Sequence, residues 1–292
     1  KRFNVKKKIL VTGGAGFVGS HLCERLSQDN SNDVYSLDNY FTGSEKNHVD
    51  NVTYINGSTI DIDTLITFTP EIVYHLGEYS RVEQSFDDIK KVLEFNKNGT
   101  LAVLEFVRKV GCKILYAGSS TKFGDEGQNA DASPYAWSKS SNTQLVKNYG
   151  EWFGIDYVIT YFYNVYGPRE IQTGKYATLI ALFKEKMKNN EALTIVSPGT
   201  QKRNFTHIND TVDALMLIGE NGHGDEYGIG NPHGCTILDV AKMYGGEISM
   251  LPQRKGNRLV ASVVSDKTKA LGWEPKVNLA DYIEEQRRAN WK

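Results

Sequence analysis

Short apolar runs alternate with helix-like segments through the first half of this chain. The runs at 9–12, 34–38, 52–56, 72–76, 113–119 and 157–162 mostly lack polar alternation, which predicts strands buried on both faces. Helices are predicted between them at 17–28, at 86–110 (as one helix or two) and at 134–153. Strands that alternate with helices are joined by right-handed crossovers, so the pattern predicts an α/β fold with a doubly wound parallel sheet.

The pattern changes after Tyr163, where Gly and Pro recur at 167–168, 197–199, 231–232 and 251–252 between shorter elements. We therefore predict a smaller C-terminal substrate-binding lobe, formed by about 166–202 and 231–292. The larger nucleotide-binding domain would comprise 1–165 together with about 203–230. A chain of 292 residues is long enough for one large domain with such an appendage.

Composition narrows the classes of function. With 40% hydrophobic and 24% charged residues the chain resembles ordinary globular proteins, and its net charge of −1 provides no basic field for nucleic acid. No apolar stretch approaches the ~20 residues of a membrane span, and the run behind the basic start is too short for a signal peptide. Three scattered cysteines and six unclustered histidines predict no disulfide framework, no metal site and a cytoplasmic location.

The first predicted strand ends in a glycine-rich turn, Thr-Gly-Gly-Ala-Gly-Phe-Val-Gly at 12–19. Glycines at 13, 16 and 19 permit a tight turn, close backbone approach to a pyrophosphate, and close packing of helix on strand. The free N–H groups at the start of the next helix favour phosphate. A glycine triplet alone can be an ordinary tight turn, but its position between a strand and a helix predicts a Rossmann-type dinucleotide site.

Asp38 ends the second predicted strand, about 20 residues beyond Gly19, where a carboxylate accepts hydrogen bonds from the adenosine ribose. No arginine directly follows it, and its charge would repel a 2′-phosphate. The sequence therefore predicts NAD rather than NADP.

Tyr135 and Lys139 begin a predicted helix directly after Pro134. Their i,i+4 spacing places both side chains on one face of that helix. A free phenol, with a pKa of about 10, is a poor base near neutrality, and a neighbouring ammonium lowers that pKa. The pair predicts an acid/base site, although such pairs also occur on solvated helices.

Hydroxyl side chains lie at the carboxyl end of the strand that precedes this helix. Ser119, Ser120 and Thr121 occupy the edge of a parallel sheet where ligands bind, so one of them can share a proton with a substrate oxygen and Tyr135. Each alone could instead be a turn or N-cap residue.

Together these motifs resemble the extended short-chain dehydrogenase/reductase family, and within it the nucleotide-sugar epimerases and dehydratases. The resemblance covers almost the whole chain. Its motifs occur in the family order: the glycine turn, Leu37-Asp38-Asn39, His75-Leu76, Asn96, Gly118-Ser119-Ser120, Tyr135-x-x-x-Lys139, Tyr163 to Arg169, Arg203 to Asp210 and Leu271 to Pro275.

The resemblance implies roles residue by residue. Tyr135 would be the catalytic acid/base, Lys139 would hold the nicotinamide ribose and tune Tyr135, and Ser119 would be the catalytic hydroxyl. The implied cofactor contacts are Gly13, Gly16, Phe17, Val18, Gly19, Asp38, Asn39, Ser58, Leu76, Gly77, Asn96, Tyr135 and Lys139.

Substrate contacts follow from the same resemblance: Glu78, Ser119, Ser120, Asn164, Arg203 and Arg258. Of these, Asn164, Arg203 and Arg258 would meet the nucleotide diphosphate, since a guanidinium fork matches phosphate oxygens. A surface ion pair is the alternative role for Arg203.

Several positions depart from the family pattern. Dehydratases usually carry Asp-Glu where Ser120 and Thr121 stand, which disfavours dehydration, and the similar UDP-glucuronate decarboxylases typically keep a Glu at Thr121. Ser58 replaces an acid that contacts adenine. The usual small pair after Leu76 is Gly77-Glu78. Glu78 would contact the substrate, assist proton transfer or pair with the nearby Arg81. Of these roles we expect the pairing with Arg81.

The resemblance thus implies NAD-dependent epimerisation of a nucleotide-linked sugar, favouring a UDP-sugar, at C4 through a transient 4-keto intermediate. The alternatives are a 4-keto reductase, dehydrogenase or dehydratase of the same family, and a non-catalytic dinucleotide-binding protein. The resemblance also implies a homodimer through a four-helix contact of 86–110 and 134–153.

Overall fold

The computed structural model describes residues 5–123, 130–254, 260–261 and 263–292. Its strands, numbered in chain order, are β1 Lys7–Thr12, β2 Asn32–Asp38, β3 Val52–Asn56, β4 Ile72–His75, β5 Lys113–Gly118, β6 Tyr157–Tyr161, β7 Val165–Tyr166, β8 Leu193–Val196, β9 Lys202–Arg203, β10 Thr206–His207, β11 Gly224–Gly228, β12 Cys235–Thr236, β13 Ile248–Leu251 and β14 Val260–Ala261.

The α-helices are numbered in the same way. They are α1 Phe17–Ser27, α2 Ile62–Leu65, α3 Ile89–Val92, α4 Gly99–Val110, α5 Pro134–Phe153, α6 Leu179–Lys188, α7 Ile208–Asn221, α8 Ile237–Tyr244, α9 Asp266–Ala270 and α10 Leu279–Arg288.

Within the described residues, seven parallel strands form the central sheet in the order β11-β6-β5-β4-β1-β2-β3. The predicted doubly wound α/β fold is confirmed, and the six predicted strands agree with the observed ones to within two residues at each end. The edge strand β11 was not predicted. Its sequence, Gly-Asp-Glu-Tyr-Gly, has no apolar run, and only its last two residues are buried.

Alternate residues of the strands pack into two cores on opposite faces of the sheet. Ile9 and Val11 of β1 face a core closed by α1 and α7, whereas Leu10 faces a core closed by α4 and α5. Both faces of each central strand are therefore covered by helices, which explains the continuous apolar runs in the sequence.

The predicted 86–110 helix is divided in the structure. A 3₁₀ turn at Glu83–Phe86 precedes α3, a π-helical segment at Leu93–Asn98 follows it, and α4 completes the element. By contrast, α5 has the predicted bounds. Ser133 caps its N-terminus by accepting the Ala136 N–H at 3.0 Å, Pro134 fills the first position, and Gly154 ends it with φ of +68°.

Residues beyond Val165 form a third core, in which Phe183, Tyr244 and Trp291 are buried. Side chains from both ends of this region meet there, since Tyr166 and Tyr282 pack with ring centroids 5.0 Å apart. The division into a nucleotide domain and a substrate lobe stays a prediction. Among the described residues, no helix is both long and apolar enough to cross a membrane.

Candidate active site

A cavity of about 460 Å³ opens along the carboxyl ends of β1, β2, β4 and β5, where parallel sheets place their ligands. Segments from beyond β6 form its opposite wall. Most of the predicted site residues line it: Gly13, Gly16, Phe17, Val18, Gly19, Asp38, Asn39, Leu76, Gly77, Glu78, Ser119, Ser120, Tyr135, Lys139 and Asn164.

The glycine turn leaves no room for side chains. Gly13 has φ of +74°, and a Cβ on Gly19 would lie 2.0 Å from the Gly13 carbonyl oxygen. The first turn of α1 can therefore pack directly on the end of β1, with its free N–H groups towards the cavity. This geometry fits a dinucleotide pyrophosphate.

Asp38 is held at the end of β2 by two backbone donors. Its Oδ2 accepts the Ala15 N–H at 3.0 Å and its Oδ1 accepts the Tyr40 N–H at 2.8 Å. Burial raises the carboxyl pKa, and these two hydrogen bonds partly offset that effect. Each oxygen keeps a lone pair for a ribose hydroxyl, so the residues present fit NAD.

Tyr135 and Lys139 both reach the cavity from the first turns of α5, as their spacing predicts. Ser119 and Ser120 lie just beyond β5, are buried, and line the same cavity. Tyr135, Lys139 and the candidate catalytic hydroxyl of Ser119 therefore face one space.

Glu78 pairs with Lys139 rather than with Arg81, so the expected Arg81 partnership was wrong. Lys139 Nζ lies 2.7 Å from Glu78 Oε1, with side-chain exposures of 7% and 3%, and it also donates to the Ala117 carbonyl. Glu78 Oε2 accepts from Thr100 Oγ1 and Asn142 Nδ2, both at 2.8 Å.

Lys139, Thr100 and Asn142 stabilise the negative charge of Glu78. Burial alone would raise the pKa of its carboxyl, but the Lys139 ammonium and the donated hydrogen bonds outweigh burial and hold the pKa below its ordinary value. The chain turns sharply after β4, where the Glu78 N–H bonds the Leu76 carbonyl at 3.0 Å. This turn directs Glu78 inward, between α4 and α5.

A chain of hydrogen bonds connects Glu78 to the end of β1. Thr100 gives its hydroxyl hydrogen to Glu78, so it accepts from His75 Nε2 at 2.8 Å. His75 Nδ1 then accepts from Thr12 Oγ1 at 2.7 Å, and the Thr12 oxygen accepts the Gly77 N–H at 2.9 Å. Burial lowers the pKa of His75 to about 4, which keeps this imidazole neutral.

Two charged wall residues were not among the predicted site residues. Arg81 follows β4 and lines the same cavity as Tyr135. Glu170 lies in the opposite wall, and burial raises its pKa to about 7 despite hydrogen bonds from the Gly167 N–H and Thr178 Oγ1. The sequence shows Arg81 only as a cation near β4, and it gives no signal for Glu170.

The remaining predicted site residues lie elsewhere. Ser58 does not line the cavity and caps a 3₁₀ turn, accepting the Ile60 N–H at 3.2 Å. Asn96 is buried behind the wall, where it bonds both backbone groups of Tyr79 and Ser138 Oγ. Arg203 lies on β9 outside the cavity lining and donates to the Lys202 carbonyl at 2.7 Å. Arg258 lies outside the described residues.

Asn164 has the left-handed backbone φ of +53° and lines the cavity. Its buried Nδ2 has no hydrogen-bond partner among the described residues. A buried amide without a partner is costly, so this donor suits a ligand oxygen. No group of three or more His, Cys, Asp or Glu side chains within the described residues could hold a metal ion.

Comparison with known proteins identifies the family. The model of the NAD dependent epimerase/dehydratase family matches residues 9–230. The chain belongs to this family, and its cofactor is NAD.

Relatives of known name cover nearly the whole chain. UDP-glucuronic acid decarboxylase 6 of Arabidopsis thaliana is 32% identical over 96% of this chain and 88% of its own length. A putative UDP-glucose 4-epimerase of Methanocaldococcus jannaschii is 32% identical over 97% of both chains. The crystal structure of UDP-glucose 4-epimerase from Thermotoga maritima, with UDP-glucose, matches with a TM-score of 0.89 and 29% identity over 98% of this chain and 100% of that one.

Proposed function

We propose that the protein epimerises a nucleotide-linked sugar at C4, through a transient 4-keto sugar, and that a UDP-sugar is its favoured substrate. The observation that carries this proposal is the meeting of Tyr135, Lys139 and Ser119 in one cavity with the glycine turn and Asp38. The names of the relatives support UDP as the nucleotide.

In this proposal the chain's residues manage the proton at the sugar 4-oxygen. Tyr135 accepts it as the phenolate when the carbonyl forms, and returns it as the phenol when the alcohol is restored. Ser119 donates a hydrogen bond to the same oxygen and stabilises the charge that develops there. NAD, when bound, supplies the hydride chemistry at C4, and it is not consumed over the cycle.

Nucleotide recognition is assigned to the other side of the cavity. Asn164 offers its unpartnered Nδ2 to a phosphate or base oxygen. Arg203 lies on β9 next to β14, and we propose that it and Arg258 approach the diphosphate.

Decarboxylation is the second candidate, because UDP-glucuronic acid decarboxylases are among the relatives. Ser120 and Thr121 provide no carboxylic acid where those enzymes and the dehydratases typically carry one. Glu78, which also lines the cavity, has its carboxylate occupied by Lys139, Thr100 and Asn142. Epimerisation needs neither acid, so it agrees best with these side chains.

Proton NMR of reaction mixtures tests the proposal. The purified protein is incubated with catalytic NAD and separate UDP-, dTDP- and GDP-sugars. We expect a C4 epimer to reach equilibrium without accumulation of NADH. Stoichiometric NADH would indicate a dehydrogenase, a UDP-pentose a decarboxylase, and a 4-keto-6-deoxy sugar a dehydratase.

Matched tyrosine variants separate catalysis from binding. Tyr135→Phe should lower kcat by about 100-fold or more, because general acid/base groups contribute factors of this size. Tyr35→Phe removes a hydroxyl that bonds Asp33 at 2.9 Å outside the cavity and should leave kcat unchanged. Equal activity of the Tyr135 variant and wild type would contradict the assignment and favour a binding role.

A homodimer is part of the proposal. The helices of the 86–110 region and α5 carry large apolar side chains that are exposed in the single chain: Phe86, Ile89, Leu93, Leu101, Trp137, Trp152 and Phe153. Apolar surface of this extent on a pair of neighbouring helices is typical of a contact with a second copy.

A further inference from the structure

Arg81 is fixed in the cavity wall by three hydrogen bonds. Its Nε donates to the Tyr176 carbonyl at 3.0 Å, and its Nη1 donates to the carbonyl and hydroxyl oxygens of Ser80 at 3.2 and 3.1 Å. These bonds orient the guanidinium plane. The other terminal nitrogen, Nη2, makes no hydrogen bond to any residue that the structure describes.

The Arg81 charge has no ion-pair partner among the described residues. The carboxylate of Glu78 is occupied by Lys139. Glu170 attracts Arg81 only from beyond ion-pair distance, and its two oxygens accept from Gly167 and Thr178. Because burial raises the pKa of Glu170 to about 7, part of its population is neutral at physiological pH.

A partly buried guanidinium stays charged, so this arrangement costs free energy until an anion arrives. Burial lowers the pKa of Arg81, but an arginine does not lose its proton near neutrality. The missing partner is therefore expected from the ligand.

The position of Arg81 indicates which part of the ligand it meets. It lines the same cavity as Tyr135, to which we assign the reacting sugar, and it lies after β4 rather than at the glycine turn after β1. The segment that anchors it, around Tyr176, belongs to the wall opposite the sheet. A carboxylate oxygen can accept from the unbonded Nη2 and pair with the guanidinium charge, whereas a neutral hydroxymethyl group would leave the charge unpaired.

We propose that Arg81 recognises a carboxylate on the sugar, so that the substrate is a nucleotide-linked uronic acid. This inference rests on the proposed function, because it takes Tyr135 to mark the sugar. It adds the substrate class that the catalytic residues themselves do not specify.

Binding to a non-turnover protein tests the inference apart from catalysis. Tyr135→Phe protein loaded with NAD is titrated calorimetrically with UDP-glucuronate, UDP-glucose and UDP. We expect UDP-glucuronate to bind at least tenfold more tightly than UDP-glucose. Adding Arg81→Met should lower the affinity for UDP-glucuronate by about 30-fold or more, because it removes one partner of a desolvated charge pair. The affinities for UDP-glucose and UDP should change by less than threefold.

Two further variants complete the design. Arg81→Lys keeps the charge but loses the guanidinium that Tyr176 and Ser80 orient, so the preference for UDP-glucuronate should fall at least threefold while UDP affinity is retained. Arg288→Met, at an arginine with 77% side-chain exposure on α10, should change nothing. If the Met variant does not fold, as judged by its thermal transition, the Lys variant still decides the question.

Several results would overturn the inference. These are equal affinity for UDP-glucuronate and UDP-glucose, a parallel loss for all three ligands in the Arg81 variants, and no binding of UDP-glucuronate. Wild-type turnover is measured separately by NMR. A preference for the uronate without C4 epimerisation would reject the proposed reaction but support carboxylate recognition by Arg81. Epimerisation without the preference would reject only the role of Arg81.

Discussion

At the scale of single residues, the buried pair of Glu78 and Lys139 is the main electrostatic feature of the site. Lys139 has three N–H donors, and Glu78 and the Ala117 carbonyl take two of them. The remaining donor is available to the ribose that the family resemblance assigns to Lys139. Glu78 thus acts as a positioning residue that fixes the direction of the Lys139 ammonium.

Glu78→Gln should therefore lower the free energy of unfolding by about 3 kcal/mol at pH 7, because an uncompensated ammonium is left in a buried site. Urea unfolding followed by circular dichroism measures this difference. Glu151→Gln, at an exposed acid on α5, is the matched control and should change the free energy of unfolding by less than about 0.5 kcal/mol.

The same variant predicts a pH dependence. The Glu78 pKa is below its ordinary value of 4.5 in the folded protein, so its contribution to stability is complete above pH 4.5. The contribution is lost as the pH falls from there through the folded-state pKa. The stability difference between wild type and Glu78→Gln should accordingly stay constant from pH 5 to 8 and shrink below 4.5. A difference that is unchanged down to pH 3 would refute the assignment.

Most of the residues that the sequence predicted for the site line the cavity, but the sequence could not show how they pair. Asp38, Tyr135 and Lys139 stand at strand ends or on one helix face, and those positions follow from the periodicity of the elements. The partner of Glu78 depends on the turn after β4, which points residues 78 and 81 in different directions. Neighbours in sequence therefore face different parts of the site, and spacing alone cannot reveal this.

At the scale of elements, the first turn of α5 determines where Tyr135, the proposed acid/base residue, lies. Tyr135 is the second residue of the helix, and the buried Ser133 side chain caps that turn. The cap replaces a hydrogen bond that the helix itself cannot make for its first N–H groups. The position of the phenol thus depends on one hydroxyl.

Ser133→Ala should cost about 1 kcal/mol of stability, the usual effect of losing an N-cap, and should also lower kcat severalfold through fraying near Tyr135. Asn278→Ala removes the equivalent cap of α10, which accepts the Asp281 N–H at 3.2 Å. It should cost a similar amount of stability without changing kcat. Thermal unfolding and the NMR assay compare the two, and equal kcat values would contradict the expectation.

Element bounds were predictable where one physical signal dominated. Runs that are mostly apolar identified the six strands β1 to β6, and a Ser-Pro start with a glycine stop bounded α5. The π-helical segment at Leu93–Asn98 leaves no comparable signal, because it arises when Asn96 turns inward to bond Tyr79 and Ser138. Tertiary contacts of this kind override local helix propensity.

At the scale of the whole molecule, the main surface feature is the set of exposed apolar side chains that we propose as the dimer contact. Trp152 is 60% exposed and contacts the rings of Tyr149 and Phe153, with centroids 6.3 and 6.2 Å apart. Tyr149 is buried beneath them, and Trp152 and Phe153 form an exposed apolar patch at the C-terminal end of α5. Covering it with a second copy would remove it from water.

Wild type should therefore have twice the 32.7 kDa chain mass in light scattering, and Trp152→Glu should shift it towards the monomer, because a carboxylate would be buried in an apolar contact. Met250→Glu, at an exposed position on β13 in a different sheet, should leave the mass unchanged. A monomeric wild type would disprove the dimer.

The late position of β11 in the chain has a consequence during synthesis on the ribosome. It pairs with β6, yet it ends 67 residues after β6 does, and its Asp225 accepts hydrogen bonds from Tyr161 and Lys122. At about 5–20 residues per second, a ribosome needs roughly 3–13 s to deliver it. During that interval the nascent sheet has an open β6 edge, which can pair with other chains. A fragment that stops after β6 would keep this edge open, so we expect it to aggregate more readily than the whole chain.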